Sequence, residues 1–119
     1  IINKKKLKTV NILGRHKSSK IRSLLNETDI FILPSISEGL SISLMEAMSM
    51  KCICLISKDS NKSKIIKNNK NGFVFYLSKN SLKILMKKII NLNKREKNYI
   101  QNLARKTIIN MNNHQKYNR

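Results

Sequence analysis

Apolar and polar positions recur along the chain in two periods, and each change of period marks an element. Ile1 to Lys8 is a basic lead-in without helical period. Thr9 to Leu13 reads as a short strand ended by Gly14, whose freedom at positive φ suits a tight turn. Lys17 to Asn26 follows as a helix with Ile21, Leu24 and Leu25 on one stripe. Asp29 to Leu33 is a second strand that Pro34 stops, and a helix from about Ser43 to Met50 buries Leu44, Met45 and Met48. Cys52 to Ile56 is a continuous apolar run, the mark of a strand covered on both faces. Lys58 to Asn71 is polar and loop-like, with one helical turn expected around Ser63 to Asn68, and Gly72 to Tyr76 is a fourth strand. Ser81 to Leu92 places Leu82, Leu85, Ile89 and Leu92 at helical spacing, and Arg95 to Met111 does the same with Ile100, Leu103, Ile108 and Met111. The polar tail from Asn112 is expected to fray, which gives one domain over residues 1–112 and a tail over 113–119. Strands alternating with helices predict an α/β fold around a parallel sheet.

The stretch that organises the rest is Asp29 to Met50, DIFILPSISEGLSISLMEAMSM. An apolar strand that ends in a turn and feeds a helix is half of a βαβ unit, and ligands of such sheets sit beyond the carboxyl ends of the strands. The chain has only six acidic residues, and this stretch sets Glu38 in the loop and Glu46 in the helix, separated by seven residues. Two explanations fit the spacing. Ser35-x-x-Glu38 and Ser43-x-x-Glu46 each fit a capping box, in which the carboxylate satisfies an N–H at a helix start. Alternatively, both glutamates face a ligand.

The same stretch resembles the donor-site signature of retaining GT-B glycosyltransferases, the large family that includes sucrose and glycogen synthases and many bacterial sugar transferases. That family carries a D-hydrophobic-PS-x-x-EG…LLEAMA run with two glutamates, here Glu38 and Glu46. Val10-Asn11-Ile12-Leu13-Gly14 is similar to its V-x-F-L-G strand and turn. Asn71-Gly72-Phe73-Val74 is similar to its N-G-hydrophobic strand, and Asn102-Leu103-Ala104-Arg105 to its closing helix. The resemblance implies a partial Rossmann-like parallel sheet, the GT-B C-terminal domain, with two C-terminal helices. It also implies transfer of a hexose from a nucleoside diphosphate sugar to a glycan or lipid-linked acceptor, with retention, and with neither a metal nor another cofactor.

By the same resemblance, Glu46 accepts hydrogen bonds from the ribose hydroxyls, a bidentate task that suits a carboxylate. Glu38 contacts the donor sugar near the reacting carbon and is the candidate catalytic residue. Gly39, Leu40 and Ser41 present backbone N–H groups to the sugar and diphosphate, ahead of a helix N-terminus that favours anions. Gly14 and Arg15 are weaker candidates for the wall around the base. The family's sheet order, 3-2-1-4-5-6, makes Val10 to Leu13 strand 3 and Ile30 to Leu33 strand 4, separated by two strands this sequence does not contain. Unpaired buried backbone groups cost ~1–3 kcal/mol each. The expectation is therefore a fragment or truncated relative that folds poorly alone unless strand 3 moves beside strand 4, and whose N-terminal domain is missing.

Three departures bear on activity. The family's C-G-x-P-V turn has Lys51 and Ile53 at its Gly and Pro positions, so that turn is expected to be built differently. Lys64 stands where a Glu usually precedes Ile-Ile, and Ser41 replaces a frequent Gly. The lost Gly and Pro, with the missing strands, favour a second reading, a degenerate and inactive remnant.

Composition adds a third reading and narrows it. A formal charge of +19 is a legitimate footprint for nucleic acid or anionic lipid. The excess is mainly Lys, and Asn and Ile are equally inflated. All three share A/T-rich codons, so a solvated basic surface needs no partner. An anionic membrane surface is the next reading. A nucleic-acid module is disfavoured, because no aromatic-interleaved basic strand or zinc spacing accompanies the charge. No run approaches the ~18 apolar residues of a membrane span, and a secretory h-region is not evident, so a cytoplasmic chain is expected, at most peripheral at the inner membrane face. Cys52 and Cys54, two apart, share one face of a strand and read as buried, reduced thiols. His16 and His114 read as surface residues.

Overall fold

The computed structural model describes residues 11, 14–34 and 41–117. Its elements, in order, are α1 (Ser18–Asn26), β1 (Ile30–Leu33), α2 (Ile42–Ser49), β2 (Ile53–Ser57), a 3₁₀ turn (Lys58–Ser60), β3 (Phe73–Phe75), α3 (Lys79–Ile90) and α4 (Lys94–Tyr117). The strands pair in parallel in the order β1-β2-β3. They occupy the places expected of strands 4, 5 and 6. The strand expected over Thr9 to Leu13 lies outside the described residues apart from Asn11, which is in no regular element.

The central strand explains the layering. All five residues of β2 are buried, as its unbroken apolar run requires. Successive side chains point to opposite faces and enter two cores. Cys54 and Ile56 join Leu25 of α1, Leu44, Ala47 and Met48 of α2, and Ala104 and Ile108 of α4. Ile53 and Leu55 join Phe73 and Phe75 of β3, Ile89 of α3 and Ile100 of α4. The long α4 therefore serves both faces, with Ile100 on one and Ala104 and Ile108 on the other. By contrast β1, an edge strand among the described residues, is only partly buried along its length.

Caps decide several boundaries. Ser78 Oγ accepts from the Ser81 N–H, so α3 starts at Lys79 rather than at Ser81. Asn93 and Glu96 form a reciprocal box, Glu96 N–H to Asn93 Oδ1 at 2.8 Å and Asn93 N–H to Glu96 Oε1 at 3.4 Å, which starts α4 at Lys94. At the other end α4 continues through Tyr117, so the segment expected to fray from Asn112 prolongs the helix.

The helical turn expected around Ser63 to Asn68 is not there. Asparagine side chains organise that segment instead. Asn61 bonds both the N–H and the carbonyl of Ile66, at 3.1 and 3.0 Å. Buried Asn71 accepts from the Lys67 N–H at 2.7 Å and donates to the Ile65 carbonyl and to Thr107 Oγ1 of α4, at 3.0 and 3.1 Å. These side chains give the backbone an alternative to helical bonds. The 3₁₀ turn falls earlier, at Lys58–Ser60, where Ser57 caps it. Beside Asn71, a Cβ on Gly72 would lie 2.9 Å from both the Cys54 carbonyl and Ile66 Cδ1, so only glycine lets the chain pass β2 this closely.

Candidate functional site

In a parallel sheet the carboxyl ends of all strands open on one side, and the loop after β1 leads straight into α2. Glu38, Gly39 and Leu40 of that loop lie outside the described residues. Ser41 is the N-cap of α2: its Oγ accepts from the Leu44 N–H at 3.2 Å, and its carbonyl takes the first helical bond, from Met45. The N–H groups of Ile42 and Ser43 precede that bond and point out of the helix start.

This cap takes Glu46 out of any capping box. With Ser41 as N-cap, the position that completes a capping box is Leu44, and Glu46 lies further into α2. Its side chain is partly buried, and among the described residues its carboxylate has no hydrogen bond or ion pair. Only its backbone carbonyl is engaged, by Ser49 Oγ and the Met50 N–H. Among the described residues Glu46 is thus a partly buried carboxylate without a polar partner.

The turn that ends α2 corrects one expectation. Cys52 N–H bonds the Ala47 carbonyl at 3.0 Å and Lys51 N–H the Met48 carbonyl at 3.1 Å, with Lys51 at φ 63°. That is a Schellman motif with Lys51 at the left-handed position that glycine favours. The turn is thus built in the ordinary way, on a lysine. From the other side, Arg105 of α4 donates to the Ser49 carbonyl at 2.9 Å, and α4 packs along α2 with Ala104 fully buried. Residues far along the chain therefore fix the helix that carries Glu46.

Gly14 and Arg15 are both exposed, ahead of α1, and among the described residues no hydrogen bond or ion pair joins them to Ser41 or Glu46. Gly14 has φ 67°, the left-handed turn that its residue type suggested. Cys52 and Cys54 are buried free thiols, and burial pushes both thiols up, with Asp29 adding at Cys52 and Cys52 adding at Cys54. His16 is exposed. Among the described residues no three His, Cys, Asp or Glu side chains come together, and no helix is long and apolar enough to cross a membrane.

One feature escaped the motif reading. Lys58, Lys62, Lys64 and Lys67 line an open cleft of about 570 Å³ where β2 and β3 end. The signal was present as a run of lysines between Lys58 and Lys70, broken by a single acid, Asp59.

Parallel strands in sequence order with helices on both faces are the α/β architecture of the C-terminal domains of GT-B glycosyltransferases. Residues 1–106 match the family described as glycosyl transferases group 1, and the chain belongs to that family. It is 33% identical over 58 residues to the UDP-Gal:alpha-D-GlcNAc-diphosphoundecaprenol alpha-1,3-galactosyltransferase of Escherichia coli, covering 49% of this chain and 15% of that protein. It is 32% identical over 71 residues to the amylovoran biosynthesis glycosyltransferase AmsK of Erwinia amylovora, covering 55% and 17%. Among solved structures, a glycosyltransferase from Rickettsia africae superposes with a TM-score of 0.77 at 27% identity, over 89% of this chain and 28% of that one. The C-terminal domain of the group 1 protein LpcC from Francisella tularensis has the same fold, with a TM-score of 0.74 at 20% identity, over 90% and 58%.

Proposed function

We propose that this chain is the donor-binding part of a retaining glycosyltransferase, which moves a hexose from a nucleoside diphosphate sugar to a glycan or lipid-linked acceptor. The observation that carries the reading is Glu46, a partly buried carboxylate that the Ser41 cap leaves out of capping, in the second turn of the helix that follows β1. Glu46 holds the ribose hydroxyls. Ser41, with Gly39 and Leu40, supplies N–H groups to the sugar and diphosphate at the start of α2. Glu38 works at the reacting carbon, where transfer passes through an oxocarbenium-like centre and a departing diphosphate, stabilised by donors already in place. Gly14 and Arg15 form part of the wall around the base. No resident metal or cofactor takes part in this scheme. The N-terminal domain of a longer protein supplies the acceptor side, and the basic surface favours work at the inner face of a membrane, from the cytoplasm.

Two relatives with sugar-transferring names support the class, and the E. coli relative's UDP-Gal makes UDP the first nucleotide to try. Against the degenerate reading, Lys51 closes the turn after α2 with the two bonds of a Schellman motif. Thermal melts with UDP, GDP and ADP, repeated on Glu46→Ala, test the proposal. Ligand at ~100 times its dissociation constant adds ~2.7 kcal/mol. One nucleotide should raise the melting temperature of the chain and leave that of the variant unmoved; a cooperative melt that no nucleotide shifts contradicts the donor site.

A further inference from the structure

Exposed apolar side chains are unevenly placed on this molecule. Of the eight large hydrophobic residues that stand exposed among the described residues, four fall between positions 76 and 90: Tyr76, Leu77, Ile84 and Ile90. Single exposed apolar residues are ordinary, whereas a group of them marks contact with a partner. The longest acid-free stretch of the sequence spans the same place. From Ser60 to Arg95 it carries nine lysines, one arginine and no Asp or Glu.

Helix α3 brings the two properties onto one surface. It turns Leu82, Leu85, Met86 and Ile89 towards the core. Lys83, Lys87 and Ile90 follow one another at i, i+4 and i+7, and Ile84 lies three residues before Lys87, so the four share the outer face. All four are exposed, Ile84 by 67% and Ile90 by 62%. Among the described residues neither Lys83 nor Lys87 has a hydrogen bond or ion pair. Lys88, at the flank, is engaged with the domain: it donates to Asn69 Oδ1 at 3.2 Å and stands 5.7 Å from the centre of the Phe73 ring. Of the acids, Glu96 is held in the cap of α4, and Asp29 lines a cleft with Ile90 that Lys97 also lines.

Isoleucines set between unpaired ammonium groups fit a surface that is anionic outside and apolar just beneath. A nucleic acid matches the charge but offers these aliphatic side chains nothing. We propose that the outer face of α3 lies on an anionic lipid bilayer, with Lys83 and Lys87 at the headgroup phosphates and Ile84 and Ile90 sunk to the acyl boundary. This rests on the reading of a transferase that works at a membrane and names the face that touches it; no acceptor is held here. Glu46 stays clear of the bilayer, because α2 packs on the other face of the sheet from α3.

The chain has no tryptophan, so Ile84→Trp places a single reporter on this face. Its emission should move to the blue with vesicles of phosphatidylglycerol and phosphatidylcholine, and lipids brominated on their acyl chains should quench it. Vesicles of phosphatidylcholine alone should do neither. In co-sedimentation at fixed ionic strength, Lys83→Gln/Lys87→Gln should weaken binding to the anionic vesicles tenfold or more, at about fivefold per lysine. Ile84→Ser should weaken it several-fold. Lys20→Gln/Arg22→Gln, on α1 and so on the opposite face of the sheet, removes the same charge and should leave binding within about twofold. Cooperative melting of each variant shows that it is folded. Equal weakening by the two charge pairs, or a reporter that neither shifts nor is quenched while the chain sediments, would place the contact elsewhere: the proposal falls and the membrane reading stands. Loss with the lysine pair but full binding in Ile84→Ser would make the face a site for any polyanion, nucleic acid included, and overturn it. Failure of the chain to sediment with anionic vesicles would end both membrane statements and leave the donor site untouched.

Discussion

Lys51 holds a backbone conformation that suits glycine, at the position where the resembled family has one. A left-handed L residue costs roughly 1–2 kcal/mol, part of which glycine returns through its greater freedom when unfolded. Lys51→Gly should therefore stabilise the chain by about 0.5–1 kcal/mol, read as a rise in the urea midpoint with unchanged slope. The thiols beside it give a pH prediction. Burial raises the pKa of Cys54 above that of an unfolded thiol, so its contribution is complete below about pH 8.5 and is lost as pH rises beyond that towards the folded value. The stability advantage of the chain over Cys54→Ala should shrink between pH 8 and 10, by at most ~1.4 kcal/mol per pH unit for this thiol, and an advantage that grows would contradict it. Glu46 was legible as a candidate donor-binding residue through the resemblance, its spacing to Glu38 alone leaving cap and ligand open. Its release from capping was not, because Ser41 and Ser43 are both competent caps and only the backbone path decides between them.

Among the elements, α2 carries Glu46 and α4 holds α2 in place. Ala104 is fully buried among residues of both helices, and a larger side chain there must push them apart. Ala104→Leu should cost roughly 1–3 kcal/mol and, by displacing α2, weaken nucleotide binding although it touches no ligand. Calorimetric binding on the folded variant checks the second half; unaltered affinity would uncouple α4 from the site. Asn71 plays the matching part for the loop after β2. Asn71→Ala strands the Lys67 N–H and the Ile65 carbonyl and frees Thr107, so a loss of about 2–3 kcal/mol is expected in chemical denaturation. Apolar periodicity was enough to find β1, β2, β3 and all four helices, because each has an unmixed apolar face. It failed between Ser63 and Asn68, where side-chain bonds from Asn61 and Asn71, which flank the stretch, replace helical ones. It also stopped α4 at Met111, since the polar residues beyond have no apolar stripe to extend.

For the whole molecule, the sheet order was readable only through the resemblance. Three apolar strands say nothing by themselves about which lies in the middle, although the unbroken run of β2 pointed to the centre. The +19 charge spreads over the entire chain; the lysine run from Lys58 was visible in it, but not the cleft that those residues line. What organises the molecule is the path from β1 through Ser41 to Glu46. The most direct measurement is therefore calorimetric titration of UDP into the chain and into Glu46→Gln, which keeps size and removes charge. The account predicts saturable binding to the chain and at least tenfold weaker binding to the variant, with both melting cooperatively. Equal affinity in the two would show that Glu46 holds no ribose and would contradict the donor site.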